Sequence, residues 1–272
     1  MIHTVPLRFS KLRLALLSPL AALLACGSSS SSPSAPTTYN LTGNWEVLNP
    51  AFINSPSPIW DFTGALQSNG STVTGVFRVL SSTPFGGNCP SITTDLAVTG
   101  TLDVSNNLTL TIPLSGGTAT ITATLPLDPQ TFTPGSFQIV GGTCSMPATA
   151  MSIIQFAPVT GTYSGMLTTS GTPAISATVT AALVQSTTAN VDGLFPLTGS
   201  VTIQGPCSVT LPLLPETVSG NGIFFSSGSS SSPASDLTGP IMTPTAASIQ
   251  AFIDIYDSSC SIGSLQGTLT RQ

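Results

Sequence analysis

Thr118-Ala119-Thr120-Ile121-Thr122-Ala123-Thr124-Leu125 alternates hydroxyl and apolar side chains without a break. A period of two places every second residue on one face of an extended chain, so this octet reads as a β-strand with one buried and one wet surface. The same alternation runs through Leu108-Thr109-Leu110-Thr111-Ile112, Ser176 to Ala181 and Val201-Thr202-Ile203. It also sets Ile249, Ala251, Ile253 and Ile255 on one face of a further strand. Turn formers such as Ser105-Asn106-Asn107 and Ser115-Gly116-Gly117 separate the runs, which favours hairpins over helical crossovers. No amphipathic helix is evident, and the chain is expected to be antiparallel all-β.

Working outward, two stretches repeat one another. Thr42-Gly43-Asn44-Trp45 aligns with Thr160-Gly161-Thr162-Tyr163, and Gln67-Ser68 with Gln185-Ser186. At the same offset Val73, Gly75, Phe77 and Cys89 fall on Val191, Gly193, Phe195 and Cys207. After a drift in register, Cys144 aligns with Cys260. Two copies of one module are expected, residues 41–157 and 158–272. About eight short strands in each suit either an up-and-down barrel or a two-sheet sandwich. Of the three ways to pair four cysteines, only Cys89 with Cys144 and Cys207 with Cys260 respects the repeat, giving each module one internal disulfide.

The Gly-x-aromatic openings, Gly43-Asn44-Trp45 and Gly161-Thr162-Tyr163, resemble the Gly-x-Trp strand start of lipocalins and their barrel relatives. That resemblance implies a small up-and-down β-barrel in each module and, as one functional reading, binding of a small apolar ligand inside it. The β-sandwich stays open as the alternative.

The amino-terminal region has the property order of a secretory signal: Arg8, Lys11 and Arg13, then a mostly apolar stretch from Leu14 to Leu24. About 11 residues fall short of the roughly 20 that span a bilayer as a helix. The stretch ends in Leu23-Leu24-Ala25-Cys26-Gly27, which resembles the lipobox of bacterial lipoproteins. The resemblance implies a signal peptide of residues 1–25, lipid attachment at Cys26, and a membrane partner held through that lipid. Lipidation would also leave an even set from the five cysteines. Ser28 to Thr38 is almost wholly Ser, Pro, Ala and Thr, a composition suited to a tether, so residues 26–40 read as anchor and spacer.

With the signal removed, only Arg78 and Arg271 remain as basic side chains against 10 acidic ones. Clustered Lys and Arg supply affinity for phosphate backbones, so no nucleic-acid partner is expected. The single histidine, His3, and the sole lysine, Lys11, leave with the signal. Ser-His-Asp, Cys-His and lysine-dependent chemistries go with them, and neither a metal nor another cofactor is expected.

Carboxylates remain for acid-base work. Glu46 and Asp61, near Trp45 and Trp60, form an imaginable glycosidase-like pair with aromatic platforms; the preferred reading has Glu46 beside Trp45 at a strand start, facing water, and no catalytic residue. Trp45, Phe62 and Phe77 could line a ligand cavity but read better as core. Trp60, whose counterpart in the second module is Thr178, is the other candidate ligand-binding residue. Asp103 with Asn106, and Asp254 with Asp257, read as turn residues rather than calcium ligands. Ser226 to Ser235 reads as a low-complexity loop of the second module.

The expectation is thus a non-enzymatic, lipid-anchored lipoprotein of the bacterial envelope, at the outer membrane, in surface interaction or a structural role. The alternative is lipocalin-like binding of a small apolar ligand, and a protein or glycan partner is left open.

Overall fold

The structure is a computed structural model that describes residues 39–49, 61–79, 94–128, 130–229, 232–255, 260 and 262–272. The expected signal peptide, Cys26 and the tether before Tyr39, together with Trp60, Cys89 and Asp257, lie outside the described residues.

The alternating runs become sixteen strands. The first eight are β1 (Gly43–Leu48), β2 (Asp61–Asn69), β3 (Thr72–Val79), β4 (Leu96–Leu102), β5 (Asn107–Leu114), β6 (Gly117–Thr124), β7 (Thr133–Val140) and β8 (Met146–Phe156). The second eight are β9 (Gly161–Thr169), β10 (Ser176–Gln185), β11 (Phe195–Gln204), β12 (Ser208–Ser219), β13 (Gly222–Ser229), β14 (Ser232–Pro240), β15 (Ser248–Ile255) and β16 (Leu265–Arg271). Each strand pairs with the next, β8 returns antiparallel to β1, and β16 returns to β9. Two closed up-and-down barrels result, and the closure rules out the sandwich, whose separate sheets would leave those first and last strands as edges.

Inside barrel one the period of two does what the octet promised. Ala119, Ile121 and Ala123 of β6 turn inward and are buried. Trp45 and Val47 of β1, Phe62 and Leu66 of β2, Phe77 of β3, Leu110 of β5 and Phe137 of β7 meet them in one apolar cluster. The Phe62 ring lies 6.2 Å from Phe77 and 5.6 Å from Phe137, centroid to centroid, both tilted. In barrel two the buried set among the described residues is mostly aliphatic, with Tyr163 in the place of Trp45.

Strand pairing corrects the alignment of the two copies. Leu66 stands between Gly43 and Gly75, and Leu183 between Gly161 and Gly199. Gly75 therefore corresponds to Gly199 and not to Gly193. Both sites need glycine for the same reason: an added Cβ would lie 2.2 Å from the Ala65 carbonyl oxygen in one and 2.0 Å from that of Ala182 in the other. The slip arises because β2 and β3 join through a tight turn at Gly70 and Ser71, whereas β10 and β11 join through the longer segment 186–194. Val191 and Gly193 belong to that inserted loop.

A second correction concerns Ser226 to Ser235. Its described residues are strand rather than loop: Ser227 pairs with Ser235 across the β13–β14 hairpin. Main-chain hydrogen bonds hold a ladder without apolar side chains, so low complexity did not preclude a strand.

Cys207, in the β11–β12 bend, is bonded to Cys260 before β16, with Cα atoms 5.6 Å apart. Cys144, between β7 and β8, is buried and disulfide-bonded.

Candidate functional site

The outer wall of a barrel normally meets water, yet along β8, β1 and β2 the wall of barrel one is buried. Asn44 and Glu46 point outward from β1. Ala65 and Thr63 stand opposite them on β2, and Phe156 and Ile154 on β8. Barrel two covers this strip with the end at which its own chain begins. Ile154 and Phe156 project out of barrel one into the apolar cluster of barrel two, beside Val159 and Tyr163. The inserted 186–194 loop adds Leu194 and Ala189, which pack with Phe195 against Ala65.

Polar groups in this seam are matched in pairs, as burial demands. Asn44 Nδ2 donates to Gln185 Oε1 at 3.1 Å, and Gln185 Nε2 returns a bond to Asn44 Oδ1 at 3.2 Å. The same Gln185 oxygen accepts from the Val159 amide at 3.1 Å. The Thr63 and Ser219 hydroxyls are 2.9 Å apart, and the Gly220 amide donates to the Gly64 carbonyl at 3.2 Å. Gly220 has a φ of +55°, and a Cβ there would lie 2.5 Å from Thr63 Oγ1. Glycine is thus needed both for the turn and for the close approach.

Glu46 sits in the middle of the strip. Its neighbours on either side, Thr63 and Ile154, both touch barrel two, and Glu46 itself is only 4 % exposed. The expectation that it faces water is corrected here: alternation placed it outside barrel one, but barrel two covers that outside. Burial first, then the charge of Asp61 and their shared hydrogen bond, pushes the Glu46 carboxyl up to about 8. Burial also raises Asp61, to about 6, against the lowering effect of the bond from Glu46. Glu46 is therefore the member that holds a proton at neutral pH and donates it to Asp61, with the pair titrating as a unit. Among the described residues, buried Asp61 Oδ1 has no hydrogen-bond partner. On the same outer row Arg78 is committed elsewhere, through a two-pronged ion pair to Asp95 at 2.8 and 3.0 Å.

A direct hydrogen bond brings the two carboxyls closer than the roughly 5 to 10 Å at which paired carboxyls flank a glycosidic bond. Among the described residues the strand neighbours of Glu46 are Thr63 and Ile154, which contribute a hydroxyl and methyl groups.

Trp45 is fully buried in the lumen of barrel one, where its indole N–H donates to the Leu41 carbonyl at 2.7 Å. Tyr163 does the equivalent in barrel two, its hydroxyl donating to the Ala246 carbonyl at 2.9 Å. Trp45, Phe62, Leu66, Phe77, Leu110 and Phe137 have no accessible surface at all, so none of them borders a void that would admit water. Asp103 closes an Asx turn, accepting from the amides of Ser105 and Asn107 at 2.8 and 2.9 Å. Asp254 accepts from the Ser264 hydroxyl. Among the described residues no three His, Cys, Asp or Glu side chains are grouped so as to hold a metal ion.

Sequence reasoning missed the seam residues Asn44, Gln185, Ser219, Ile154 and Phe156. One signal was present: Ile153-Ile154 breaks the alternation with two adjacent large apolar residues, as a strand buried on both faces does.

No protein-family model matches this sequence, and no curated protein does either. Among solved structures, it is similar to a protein of unknown function of the DUF3598 family from Nostoc punctiforme. That match has 12 % identity over 85 % of this chain and 94 % of that one, with a TM-score of 0.24. It is also similar to a double mutant of the vaccine antigen transferrin binding protein B from Haemophilus parasuis. There the identity is 10 % over 85 % of this chain and 76 % of that one, with a TM-score of 0.22. Overlap at these scores carries no functional information.

Proposed function

We propose that this chain is an exported lipoprotein of the bacterial envelope, anchored to the outer membrane through lipid on Cys26, whose two-barrel body serves in surface interaction or as a structural spacer rather than in catalysis. The observation that carries the second half is the filled interior. The lumen of barrel one is packed with its own aromatics, Ile154 and Phe156 of its wall pack into the apolar cluster of barrel two, and Glu46 is buried in the seam. Binding of an apolar ligand within a barrel needs a cavity of a few hundred Å³, and the fully buried lumen side chains argue for packing in its place. What the body offers to partners is its outer surface.

The anchor rests on the Leu23-Leu24-Ala25-Cys26 stretch and on the Ser- and Pro-rich segment that follows it. Growth of the native host with a clickable palmitate analogue should label the protein, and Cys26→Ala should abolish the label and leave the body in the soluble fraction. Intact-mass spectra of native material showing a free thiol at Cys26, or an amino terminus elsewhere, would overturn the proposal.

A further inference from the structure

We infer that the end of barrel one at which the chain enters is a membrane-docking face, which dips Val104, Leu127 and Phe132 into the interfacial layer of the bilayer that holds the anchor; the inference rests on the lipid-anchored reading above.

An up-and-down barrel sorts its connections onto two ends. The chain enters barrel one through residues 39–42, and the same end carries the turn at Gly70 and Ser71, the β4–β5 turn (103–106) and the β6–β7 loop (125–132). Hydrogen bonds lace these segments together. The Leu41 amide donates to Ser68 Oγ, that of Leu102 to the Ser71 carbonyl, and that of Leu125 to the Asn106 carbonyl, at 3.0, 2.9 and 2.9 Å.

On this end the loop tips are apolar and open to solvent: Val104 is 85 % exposed, Leu127 91 % and Phe132 52 %. A single exposed apolar side chain needs no explanation. Three on adjoining loops of one end, in a barrel whose outer wall is mostly threonine and serine, form a patch that asks for a partner.

The loops also hold these tips rigid. Asp103 fixes the β4–β5 turn through its bonds to Ser105 and Asn107, and Asp128 fixes the next loop by accepting from the Gln130 amide at 3.0 Å and the Thr131 hydroxyl at 3.3 Å. Beside the tips, the ends of β5, β6 and β7 frame a shallow recess of about 460 Å³, whose lining mixes Thr109, Thr122 and Thr124 with Leu108, Ala123 and Pro134.

The position of Cys26 decides the partner. The roughly 13 residues from Cys26 to Tyr39 span at most about 45 Å when fully extended. An acylated Cys26 therefore has the Tyr39 end of barrel one within its reach, the end at which the tether joins the body. These loops carry Asp103 and Asp128 and no basic residue, so apolar burial drives the contact and anionic lipid contributes nothing to it.

The test uses full-length lipidated protein in phosphatidylcholine vesicles with brominated acyl chains. Leu127→Trp reports from the docking end, and Val140→Trp, also on an exposed side chain, reports from the opposite end. After subtraction of the parent spectrum, the indole introduced at 127 should be quenched several-fold more than the one at 140, with no change when a third of the lipid is made anionic. Phe132→Asn combined with Val104→Asn, in the Leu127→Trp background, should remove most of that quenching without altering the far-ultraviolet circular dichroism. Equal, weak quenching at both positions, in protein whose mass shows the lipid on Cys26, overturns the docking face and leaves the anchor standing. A mass without lipid overturns the anchor, and the docking face with it.

Discussion

The two barrels share strand order and closure but fill their interiors differently. Barrel one is packed with aromatics from its own strands, Trp45, Phe62, Phe77 and Phe137. Among the described residues, barrel two holds mostly aliphatic side chains around Tyr163 and takes in Ile154 and Phe156 from the wall of barrel one. The two barrels thus form an asymmetric pair, in which one supplies part of the other's core.

The largest test of that difference is truncation of the two equivalent aromatics. Trp45→Ala should cost about 3–5 kcal/mol, the usual range for deleting a large buried aromatic, and it also leaves the Leu41 carbonyl without its indole partner. Tyr163→Ala should cost a similar amount but act on barrel two. Urea unfolding followed by circular dichroism, with hydrogen exchange to assign the loss, reads both. Loss of protection across both barrels from Tyr163→Ala and in barrel one alone from Trp45→Ala would invert the dependence described here.

Ile154→Ala probes the dependence directly. Its strand belongs to barrel one, while its side chain packs in barrel two. The expected cost is about 2–5 kcal/mol, with exchange protection lost first in β9, β10 and β16. Loss confined to β1 and β8 would show that barrel two does not rely on this plug.

How much of this was legible in the sequence follows from what each signal encodes. Alternation in residues 118–125 reports which side chains face into a barrel, and it placed Ala119 and Ile121 correctly. It does not report what covers the other face, and Glu46 was misjudged for that reason. Closure by β8 on β1 depends on partners more than 100 residues apart in the chain, roughly the size of a whole domain, and no local pattern carries it. The Gly-x-aromatic starts recur in both barrels, where Trp45 and Tyr163 do the same work. Gly75 and Gly199 do as well, but the inserted 186–194 loop moved them out of register, and a gapless comparison found Gly193 in their place.

The buried carboxyls give the seam a pH dependence of unusual direction. In the folded chain Glu46 keeps its proton to about pH 8, whereas its ordinary value is 4.5. Between those limits the folded state binds more protons than the unfolded one, so this contribution is complete below about 4.5 and is lost as pH rises toward 8. Asp61, at about 6 against an ordinary 3.8, acts in the same sense. The loss should be on the order of a few kcal/mol. Thermal melts at pH 5, 7 and 9 should show Glu46→Gln losing far less stability than the parent over that range, and the variant more stable at pH 9. Parallel curves for the two proteins would mean that the carboxyl is not held in the seam as described.

The smallest expected effect is the most specific test of the seam as a joint. Gln185→Ala leaves both the Asn44 amide and the Val159 N–H without their partner, whereas Asn44→Ala still leaves Gln185 accepting from Val159. Stranding buried polar groups costs about 1–3 kcal/mol each way, and the first substitution should lie at the upper end. Because both changes remove the same reciprocal bonds, the double variant should cost less than their sum, with a coupling of about 1–2 kcal/mol. Thr63→Ala and Ser219→Ala break a single hydroxyl bond, so that cycle should couple more weakly, at about 0.5–1 kcal/mol. Strict additivity in the Asn44 and Gln185 cycle would mean the amides do not meet, and the polar part of the joint would then rest on the Thr63–Ser219 and Gly220–Gly64 bonds. A coupling larger than the hydroxyl pair's would locate the orientation of barrel two on barrel one in that one pair of side chains.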